Sequence, residues 1–478
     1  MAIARRRFPQ VKKIGTPEAM RAYLAEQDIE LPLDDTVAPA PDGPLAESIQ
    51  IGPRLEARNR FAILPMEGWD GTTDGMPTPD LERRWLRFGA SGAGLVWCEA
   101  TAVVPEGRAN PNQLIINEET AEPLGALRAK MIAAHAQQFD NAPLIAGLQL
   151  THSGRFSRPL GEPRPRVAYR QPQLDERVPV TDASVLSDDE LDELVGSYVQ
   201  AGTLAADAGF DFVDIKHCHG YLLHELLSAR TRPGRYGGSF QGRTRILRSV
   251  VEQLRAARPE LTIAVRLSAV DPGPYVADGD GVGYPEPADR PMLGFGPDEA
   301  GNPLGETHQF LDLCAELGVA LACVTLGCPY YNPHLTRPAY HPALDGYLPP
   351  REPLAEVAYH LKTTAALTQA HPELVLIGSG YSYLQELLPN AAQYQVRTGR
   401  VGMVGLGRMA LSYPHLPADV VAGRDLEPKA ICRTFSDCTT GPRIGLASGC
   451  YPLDEHYKKS EARVEIAAAK KAKRTKAG

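Results

Sequence analysis

Eight short apolar segments recur along the chain, and a longer stretch with helical spacing separates each from the next. The apolar segments are Phe61–Pro65, Gly94–Ala100, Leu144–Leu150, Phe210–His217, Leu261–Ser268, Leu321–Gly327, Val375–Gly380 and Val401–Gly407. The helical stretches are Pro79–Ser91, Glu122–Phe139, Ser187–Gly209, Gly242–Arg258, Glu306–Gly318, Glu352–Ala370 and Ser382–Gly399. Alternating strands and helices favour a parallel sheet, and a count of eight predicts an α/β fold, the (β/α)8 TIM barrel. An open doubly wound sheet is the alternative, but no G-x-G-x-x-G follows the first strand.

Flanking regions and insertions complete the predicted organisation. We expect an N-terminal arm over residues 1–50, the barrel over 51–425, and a C-terminal extension with a basic tail over 426–478. Two long insertions, Thr151–Leu186 and Ala269–Pro303, follow the carboxyl ends of the third and fifth strands, the face where barrels hold their sites. Loops of this length are typically functional lids or disordered segments.

Composition excludes several classes of protein. The formal charge of −8 argues against nucleic acid as the main partner. No apolar run approaches the roughly 18 residues that a membrane span needs, and the N-terminus carries basic residues without an apolar signal core. Eight cysteines are too few for a disulfide scaffold in a chain of 478 residues. We therefore expect a cytoplasmic protein with no membrane or nucleic-acid partner.

The end of the fourth predicted strand concentrates ionisable side chains. The stretch from Asp211 reads DFVDIKHCHGYLL, a buried strand that ends in Lys216, His219 and Tyr221. A strand end of this kind usually faces a ligand, and a surface loop that happens to hold two histidines is the alternative. Because side chains alternate along a strand, His217 is expected to face the barrel wall.

Glycines close the last two predicted strands. Gly378, Ser379 and Gly380 follow strand seven, and Gly405, Gly407 and Arg408 follow strand eight. Glycines let backbone N–H groups approach a phosphate, and an arginine adds a bidentate charge. The pattern predicts a phosphate site, with two tight turns and no ligand as the alternative.

Other candidate binding residues lie at the ends of strands one, two, three and five. They are Pro65, Met66, Ala100, Gln149 and Arg266. The Gln149 amide is able to hydrogen-bond a pyrimidine edge, and the Arg266 cation is able to stabilise negative charge. A satisfied polar group inside the barrel and a structural ion pair are the respective alternatives.

The sequence resembles the old yellow enzyme family of NADH:flavin oxidoreductases. The motif HGYLL stands at His219–Leu223 and YGGS at Tyr236–Ser239. Four further segments are similar to the family's flavin-contacting strands: NRFAILPM, CEATAVVPEGR, LQLTHSGR and AVRLS. The resemblance covers roughly residues 50–425. It is nearest to the branch of 2,4-dienoyl-CoA reductase and trimethylamine dehydrogenase, without the C-terminal dinucleotide domain of that branch.

The resemblance implies an FMN-dependent enzyme. FMN would place its phosphate at the two glycine turns with Arg408, and its ring on the strand ends named above. NADH or NADPH would reduce the flavin, which would pass hydride to an activated double bond of the α,β-unsaturated carbonyl type. Lys216 and His219 would polarise the acceptor, and Tyr221 would supply the proton. The Thr151–Leu186 insertion would form a lid, and a homo-oligomer is compatible with the family.

Two positions depart from the family pattern. Lys216 stands where the family carries His, and Glu67 follows the Pro-Met pair where Thr or Cys is common. An anion beside the ring would disfavour a reduced, anionic flavin. We therefore hypothesise that Glu67 either turns away or is neutralised by a cation such as Lys216.

The cysteines after the barrel form an incomplete set. Cys432, Cys438 and Cys450 resemble the iron–sulfur segment of the same branch, but the expected second ligand falls near Phe435. Because a cluster of this kind usually needs four thiolates, we expect no iron–sulfur cluster, with a cluster that has one non-Cys ligand as the alternative, and no other metal site.

Three alternative functions stay open at this point. The first is a flavin-dependent dehydrogenase of a small amine or related substrate. The second, from another class, is a Schiff-base lyase or aldolase in which Lys216 is the nucleophile and the glycine turns hold a phosphosugar. The third is a barrel that binds flavin without turnover.

Overall fold

The computed structural model describes residues 8–140, 142–287 and 293–476 and confirms the predicted barrel. Eight parallel strands form a closed barrel in which each strand pairs with the next along the chain and the last pairs with the first. The strands are β1 Phe61–Ile63, β2 Leu95–Ala102, β3 Ile145–Thr151, β4 Phe212–His217, β5 Thr262–Ser268, β6 Leu321–Thr325, β7 Val375–Gly378 and β8 Met403–Leu406. All eight coincide with the apolar segments of the sequence.

The barrel interior is a packed core rather than a channel. The rings of Trp97 and Phe212 meet edge to face inside it, with centroids 4.9 Å apart. An antiparallel hairpin, Ile49–Ile51 with Leu55–Ala57, precedes β1 and places Ile51 in the same cluster of fully buried residues. The apolar residues of the strands are therefore buried on both faces, as a continuous barrel sheet requires.

The outer layer consists of helices that follow the strands. They are Pro79–Gly89, Ala121–Gln138, Asp188–Asp207, Leu222–Leu227, Phe240–Arg243, Arg245–Ala257, Gly305–Glu316, Pro333–Thr336, Pro353–Ala370, Leu388–Arg397, Arg408–Ser412 and Leu416–Val421. The helix after β3 begins with a capping box in which Ser187 and Glu190 satisfy each other's backbone N–H groups. This reciprocal capping fixes the start of the helix at Ser187.

One predicted helix is wrong in its first half. The stretch Ser382–Gly399 begins as a 3₁₀ turn, Tyr381–Leu387, and only Leu388–Arg397 is α-helical. Gln385 lies inside the 3₁₀ turn with φ 53° and ψ −119°, a conformation that no α-helix accepts. The helical spacing of the apolar residues did not reveal this interruption.

The N-terminal segment packs against the β7–β8 side of the barrel. It contains the helices Val11–Ile14 and Pro17–Glu26. The Tyr23 hydroxyl donates to Glu352 at 2.7 Å, and Asp34 pairs with Arg397 at 2.7 Å. The boundary predicted at residue 50 stays a prediction.

Both long insertions contain secondary structure in their described residues. The first contains the short helices Gly154–Phe156, Pro172–Asp175 and Asp182–Ser184, and the second contains the hairpin Tyr275–Ala277 with Gly283–Pro285. Gln173 in the first donates to Glu286 in the second at 2.6 Å. Buried Arg155 anchors the first insertion to the helix after β4, since its Nε lies 2.8 Å from Glu225.

The C-terminal extension returns to the mouth of the barrel. It contains the helices Asp437–Arg443, Glu455–Lys458 and Glu461–Lys476. The Ser448 N–H donates to the Gly68 carbonyl at 2.7 Å, and Asp454 pairs with Arg83 at 2.7 Å. Within the described ranges, no helix is both long and apolar enough to cross a membrane.

Candidate active site

A cavity of about 220 Å³ opens at the carboxyl ends of the strands. Most of the side chains that the sequence singled out line it, from six of the eight strand ends. These are Pro65, Met66, Glu67, Gln149, Lys216, His219, Tyr221, Arg266, Ser379, Gly380, Gly407 and Arg408.

Three of the predicted site residues do not line the cavity. Ala100 lies inside β2, which continues to Ala102, and its carbonyl accepts from Gln113 at 3.0 Å. A Cβ on Gly378 would contact Tyr381 and Val401, in the layer behind the sheet. A Cβ on Gly405 would lie 2.5 Å from the Gly378 carbonyl oxygen, so this glycine allows β7 and β8 to approach each other.

The β4 end carries a buried ion pair. Lys216 Nζ lies 2.8 Å from Glu67 Oε1, and Trp69 Nε1 donates to Glu67 Oε2 at 3.0 Å. This is the neutralising contact that the sequence analysis offered as one of two alternatives for Glu67. The alternation along β4 turns His217 the other way, onto Phe310 with ring centroids 5.2 Å apart.

Tyr221 is tied to the same carboxylate. Its hydroxyl lies 3.1 and 3.2 Å from the two oxygens of Glu67 and 3.1 Å from the Tyr330 hydroxyl. Lys216 Nζ lies 3.8 Å from the centre of the Tyr221 ring. Burial and then the Glu67 charge hold the pKa of Tyr221 well above its usual 10.0, so the phenol keeps its proton.

His219 is neutral and held by its backbone. It adopts φ 67°, and Gly220 follows at φ 73°, so the chain turns sharply where β4 ends. The His219 N–H donates to Ser268 at 3.2 Å, and the Cys328 thiol donates to the His219 carbonyl at 3.1 Å. Burial and then the Arg266 and Lys216 charges hold the pKa of His219 well below 6.5. Its Nε2 has no hydrogen-bond partner in the part of the chain that the structure describes.

A buried carboxyl that the sequence analysis did not single out, Asp214, lies behind Gln149 of the cavity lining. Asp214 Oδ2 accepts from Gln149 Nε2 at 2.5 Å and from Trp97 Nε1 at 3.1 Å. Burial raises the pKa of Asp214 to about 7. Arg266 donates to the Pro65 carbonyl at 3.2 Å, and its buried Nε is without a partner among the described residues. Asp214 could have been predicted from the sequence, because it lies two residues before Lys216 on β4 and both side chains therefore face the barrel interior.

The turn after β8 presents an unused donor, whereas the hydroxyl of the turn after β7 is already bonded. A Cβ on Gly407 would meet only the Met66 sulfur, at 3.9 Å, so the backbone there faces open space. Arg408 donates from Nη2 to the Pro338 carbonyl at 2.8 Å, while its buried Nη1 finds no acceptor in the described ranges. The Ser379 hydroxyl is committed to the Val324 carbonyl at 2.8 Å.

Several residues lining the cavity were missed by sequence reasoning. They lie on the loop after β6 and on the C-terminal extension, and include Tyr330, Arg337, Cys438, Thr439 and Arg443. Phe156, from the first insertion, stacks on Tyr330 with ring centroids 3.9 Å apart. No local pattern marks these residues, because only long-range folding brings them to the mouth of the barrel.

The donor set fits an FMN molecule. A phosphate needs cationic and backbone donors, which Arg408 and the open Gly407 turn supply. A reduced flavin ring needs a cation near its pyrimidine edge, and Arg266 carries a buried N–H without a partner in the described part of the chain. The orphaned donors therefore match the two anionic ends of the cofactor.

The cysteines of the extension are separate thiols. Cys432, Cys438 and Cys450 form no disulfide, and burial raises the pKa of Cys450 well above 9.0. Across residues 8–140, 142–287 and 293–476, no group of three or more His, Cys, Asp or Glu side chains is placed to hold a metal ion.

The fold and the site define a class: a (β/α)8 barrel whose mouth presents cationic and neutral donors to a flavin-sized, phosphate-bearing ligand. The sequence profile of the NADH:flavin oxidoreductase / NADH oxidase family matches residues 44–280. The matched segment includes β1 to β5 and the residues Glu67, Lys216, His219 and Tyr221 of the cavity.

Known proteins are similar over part of the chain. The NADPH dehydrogenases of Clostridium acetobutylicum and Bacillus subtilis are 35% and 30% identical over 219 and 223 residues, each match covering 45% of this chain. The chain spans 61% of the length of either relative. Among solved structures, a 2-naphthoyl-CoA reductase complex matches with TM-score 0.64 at 19% identity, covering 86% of this chain and 57% of that one. Morphinone reductase matches with TM-score 0.55 at 20% identity, covering 81% and 93%. At these identities the structures support the fold alone.

Proposed function

We propose that the protein is an FMN-dependent oxidoreductase that transfers hydride from NADH or NADPH, through FMN, to an activated double bond. The observation that carries this is the meeting of three groups at one cavity. They are unused cationic donors at the ends of β5 and β8, a neutral imidazole at His219, and a protonated phenol at Tyr221. The name of the curated relatives, NADPH dehydrogenase, supports the nucleotide half of this reaction.

The residues that would hold FMN follow from their unused donors. Gly380, Gly407 and Arg408 would bind the phosphate, and Arg266 would face the pyrimidine edge of the ring. Pro65, Met66 and Gln149 line the same cavity and would contact the ring. Bound FMN would supply two-electron chemistry, as hydride acceptor from the nicotinamide and hydride donor to the second substrate.

His219 and Tyr221 would act on the acceptor. A neutral imidazole nitrogen without a partner is able to donate to a carbonyl oxygen and so polarise the conjugated double bond. The Tyr221 phenol would deliver the proton to the α-carbon. Glu67 keeps that proton on the phenol until it is needed, and Lys216 offsets the negative charge that Tyr221 gains on losing it. Lys216 would therefore stabilise the deprotonated form of Tyr221 in addition to contacting the substrate.

The ion pair disfavours the lyase alternative. A Schiff-base nucleophile needs an amine that is free to attack a carbonyl, whereas Lys216 Nζ is already engaged by Glu67 Oε1 at 2.8 Å. No contact in the site favours amine oxidation over double-bond reduction. The stacking of Phe156 on Tyr330 supports the proposal that the Thr151–Leu186 insertion covers the site. The cytoplasmic location and the oligomeric state stay predictions.

Anaerobic half-reactions test the proposed function. Protein loaded with FMN is mixed with NADPH, and separately with NADH, and loss of the oxidised flavin absorbance is followed by stopped flow. The reduced enzyme is then mixed with 2-cyclohexen-1-one. We expect reduction by at least one nucleotide and reoxidation by the enone. A flavin that neither nucleotide reduces would contradict the proposal, and a flavin that is reduced but not reoxidised would contradict the acceptor class.

A further inference from the structure

Two arginines at the cavity have no part in the proposed function. Arg337 follows the short helix Pro333–Thr336 after β6, and Arg443 ends the helix Asp437–Arg443 of the C-terminal extension. Both line the same cavity as Tyr221 and Arg408. Neither falls within the segment that the family profile matches, which ends at residue 280.

The charges around the cavity do not balance. Five cations line it, against one carboxylate; the cations are Lys216, Arg266, Arg337, Arg408 and Arg443, and the carboxylate is Glu67. Glu67 is already paired with Lys216. FMN would bring a phosphate of about two negative charges beside Arg408 and, when reduced, an anionic ring beside Arg266. Positive charge remains at Arg337, which has no carboxylate within ion-pair distance among the described residues, and at Arg443, which Asp345 compensates in part.

The contacts of Arg337 show that it is under-compensated. It donates to the Thr439 hydroxyl at 2.8 Å and to the Pro329 carbonyl at 3.4 Å, both neutral acceptors. Burial lowers the pKa of Arg337, and the Arg443 and Arg408 charges lower it further. A buried cation beside two like charges is unfavourable, and a bound anion would relieve it.

Arg443 places this charge on the acceptor side of the cavity. Its guanidinium carbon lies 4.7 Å from the centre of the Tyr330 ring, and the Tyr330 hydroxyl lies 3.1 Å from that of Tyr221. Its Nε pairs at 2.6 Å with Asp345, whose side chain is 52% exposed. Solvent screens that carboxylate, so it only partly cancels the charge. The arginine therefore neighbours the proposed proton donor.

We propose that Arg337 and Arg443 bind an anionic oxygen group, a carboxylate or a phosphoryl, carried by the acceptor substrate. This inference rests on the proposed function, because it names the substrate class of the same site. The planar guanidinium fork matches both oxygen groups bidentately. The acceptor would therefore be an unsaturated acid or acyl phosphate derivative, in preference to a neutral enone.

The test compares two ligands of the same shape and different charge. FMN-loaded enzyme is titrated by isothermal calorimetry with trans-cinnamate and with trans-cinnamamide, at low and at high salt. The wild type is expected to bind cinnamate at least about tenfold more tightly than cinnamamide, equivalent to ~1.4 kcal/mol. High salt is expected to reduce this difference in affinity. Equal affinities in the wild type would overturn the inference, whatever any variant does.

Variants then test whether Arg443 causes the preference for cinnamate over cinnamamide. Arg443→Gln is expected to weaken cinnamate binding about tenfold and to leave cinnamamide within about twofold. Arg463→Gln is the matched control on the same extension, because Arg463 is exposed and its Nη1 donates to the Lys458 carbonyl at 3.2 Å. Loss of cinnamate selectivity in the control as well would count against the site.

Two further readouts separate other sources of the anion. FMN affinity and the rates of reduction by NADPH and NADH are measured for Arg443→Gln. Both are expected to match the wild type. Weakened FMN binding would assign the arginines to the flavin phosphate, and a selective loss of NADPH reduction would assign them to the nucleotide. Either result would overturn the inference while leaving the proposed function intact, whereas absence of bound FMN from the wild type would overturn the proposed function itself.

Discussion

Replacing Glu67 and replacing Lys216 should each break their ion pair, but the two changes should lower the free energy of unfolding by different amounts. The Lys216 side chain is 2% exposed and that of Glu67 is 15% exposed. Glu67→Gln leaves a fully buried ammonium without its carboxylate, which should lower the free energy of unfolding by about 3–5 kcal/mol. Lys216→Met leaves a carboxylate that still accepts from Trp69 and Tyr221 and reaches some solvent, so we expect a smaller loss of about 2–3 kcal/mol.

The double variant decides whether the two residues act as a pair. Glu67→Gln with Lys216→Met removes both charges, so its loss should be well below the sum of the single losses, with a coupling energy of at least about 2 kcal/mol. Urea denaturation followed by far-UV circular dichroism, with FMN at a fixed saturating concentration, supplies the four free energies. Lys458→Met is the control, because it removes an exposed pair with Glu455 that should be worth at most about 1 kcal/mol. Additive losses would refute the assignment of a coupled buried pair.

Four further outcomes follow from the site. Tyr221→Phe should slow reoxidation by the acceptor and leave reduction by NAD(P)H near wild type in stopped flow; equal slowing of both would contradict the proton-donor role. Arg408→Ala should weaken FMN binding about tenfold or more by fluorescence titration, since a charge-assisted phosphate contact is lost, whereas exposed Arg424→Ala should not. Lys216→Met should lower the flavin midpoint potential by about 30 mV or more, equal to ~1.4 kcal/mol for two electrons, because the Glu67 anion then opposes the reduced flavin. An unchanged midpoint potential would contradict the role of Lys216 as the counter-ion of Glu67. Neither His219, whose pKa is held well below 6.5, nor Tyr221, whose pKa is held well above 10.0, should titrate near neutral pH; the imidazole gains its proton only below this window and the phenol loses its proton only above it. Asp214 is the group expected to titrate there, since burial raises its pKa to about 7, so a titration of reoxidation near neutral pH that persists in Asp214→Asn would contradict these assignments.

The barrel was predictable because a strand that is buried on both faces appears in the sequence as a continuous run of apolar residues. Every residue of β2 and β3 is buried. The residues that cap the helices between the strands lie next to those helices in the sequence. The break at Gln385 was not predictable, since the helical spacing runs through it and only its positive φ interrupts the helix.

The candidate site was predictable where a motif and a strand end coincide. Lys216 lies at the end of β4, and His219 and Tyr221 follow the strand directly. Alternation along the strand correctly placed the His217 side chain on the opposite face. Ala100 was misplaced because β2 continues past it to Ala102, so it sits below the rim. A motif marks a segment but does not say which of its residues reach the cavity.

The other side of the cavity required the folded chain. Arg337 and Arg443 lie about a hundred residues apart and meet the cavity from a loop and from the C-terminal extension. Ser448 docks on Gly68 through a backbone hydrogen bond, and this contact brings the extension over the mouth. Contacts of such long range leave no periodic or local signal, so the contribution of Arg337 and Arg443 to the cavity could not be predicted from the sequence.

The central claim is that FMN occupies the mouth of the barrel, and the visible absorption spectrum of the purified protein, with the released flavin quantified per chain, tests it most directly. The arrangement of Arg266, Gly407 and Arg408 predicts a yellow protein that carries one FMN per chain, or that binds one when FMN is added. A colourless protein that takes up no added FMN would contradict the account of the cofactor site and every catalytic role built on it.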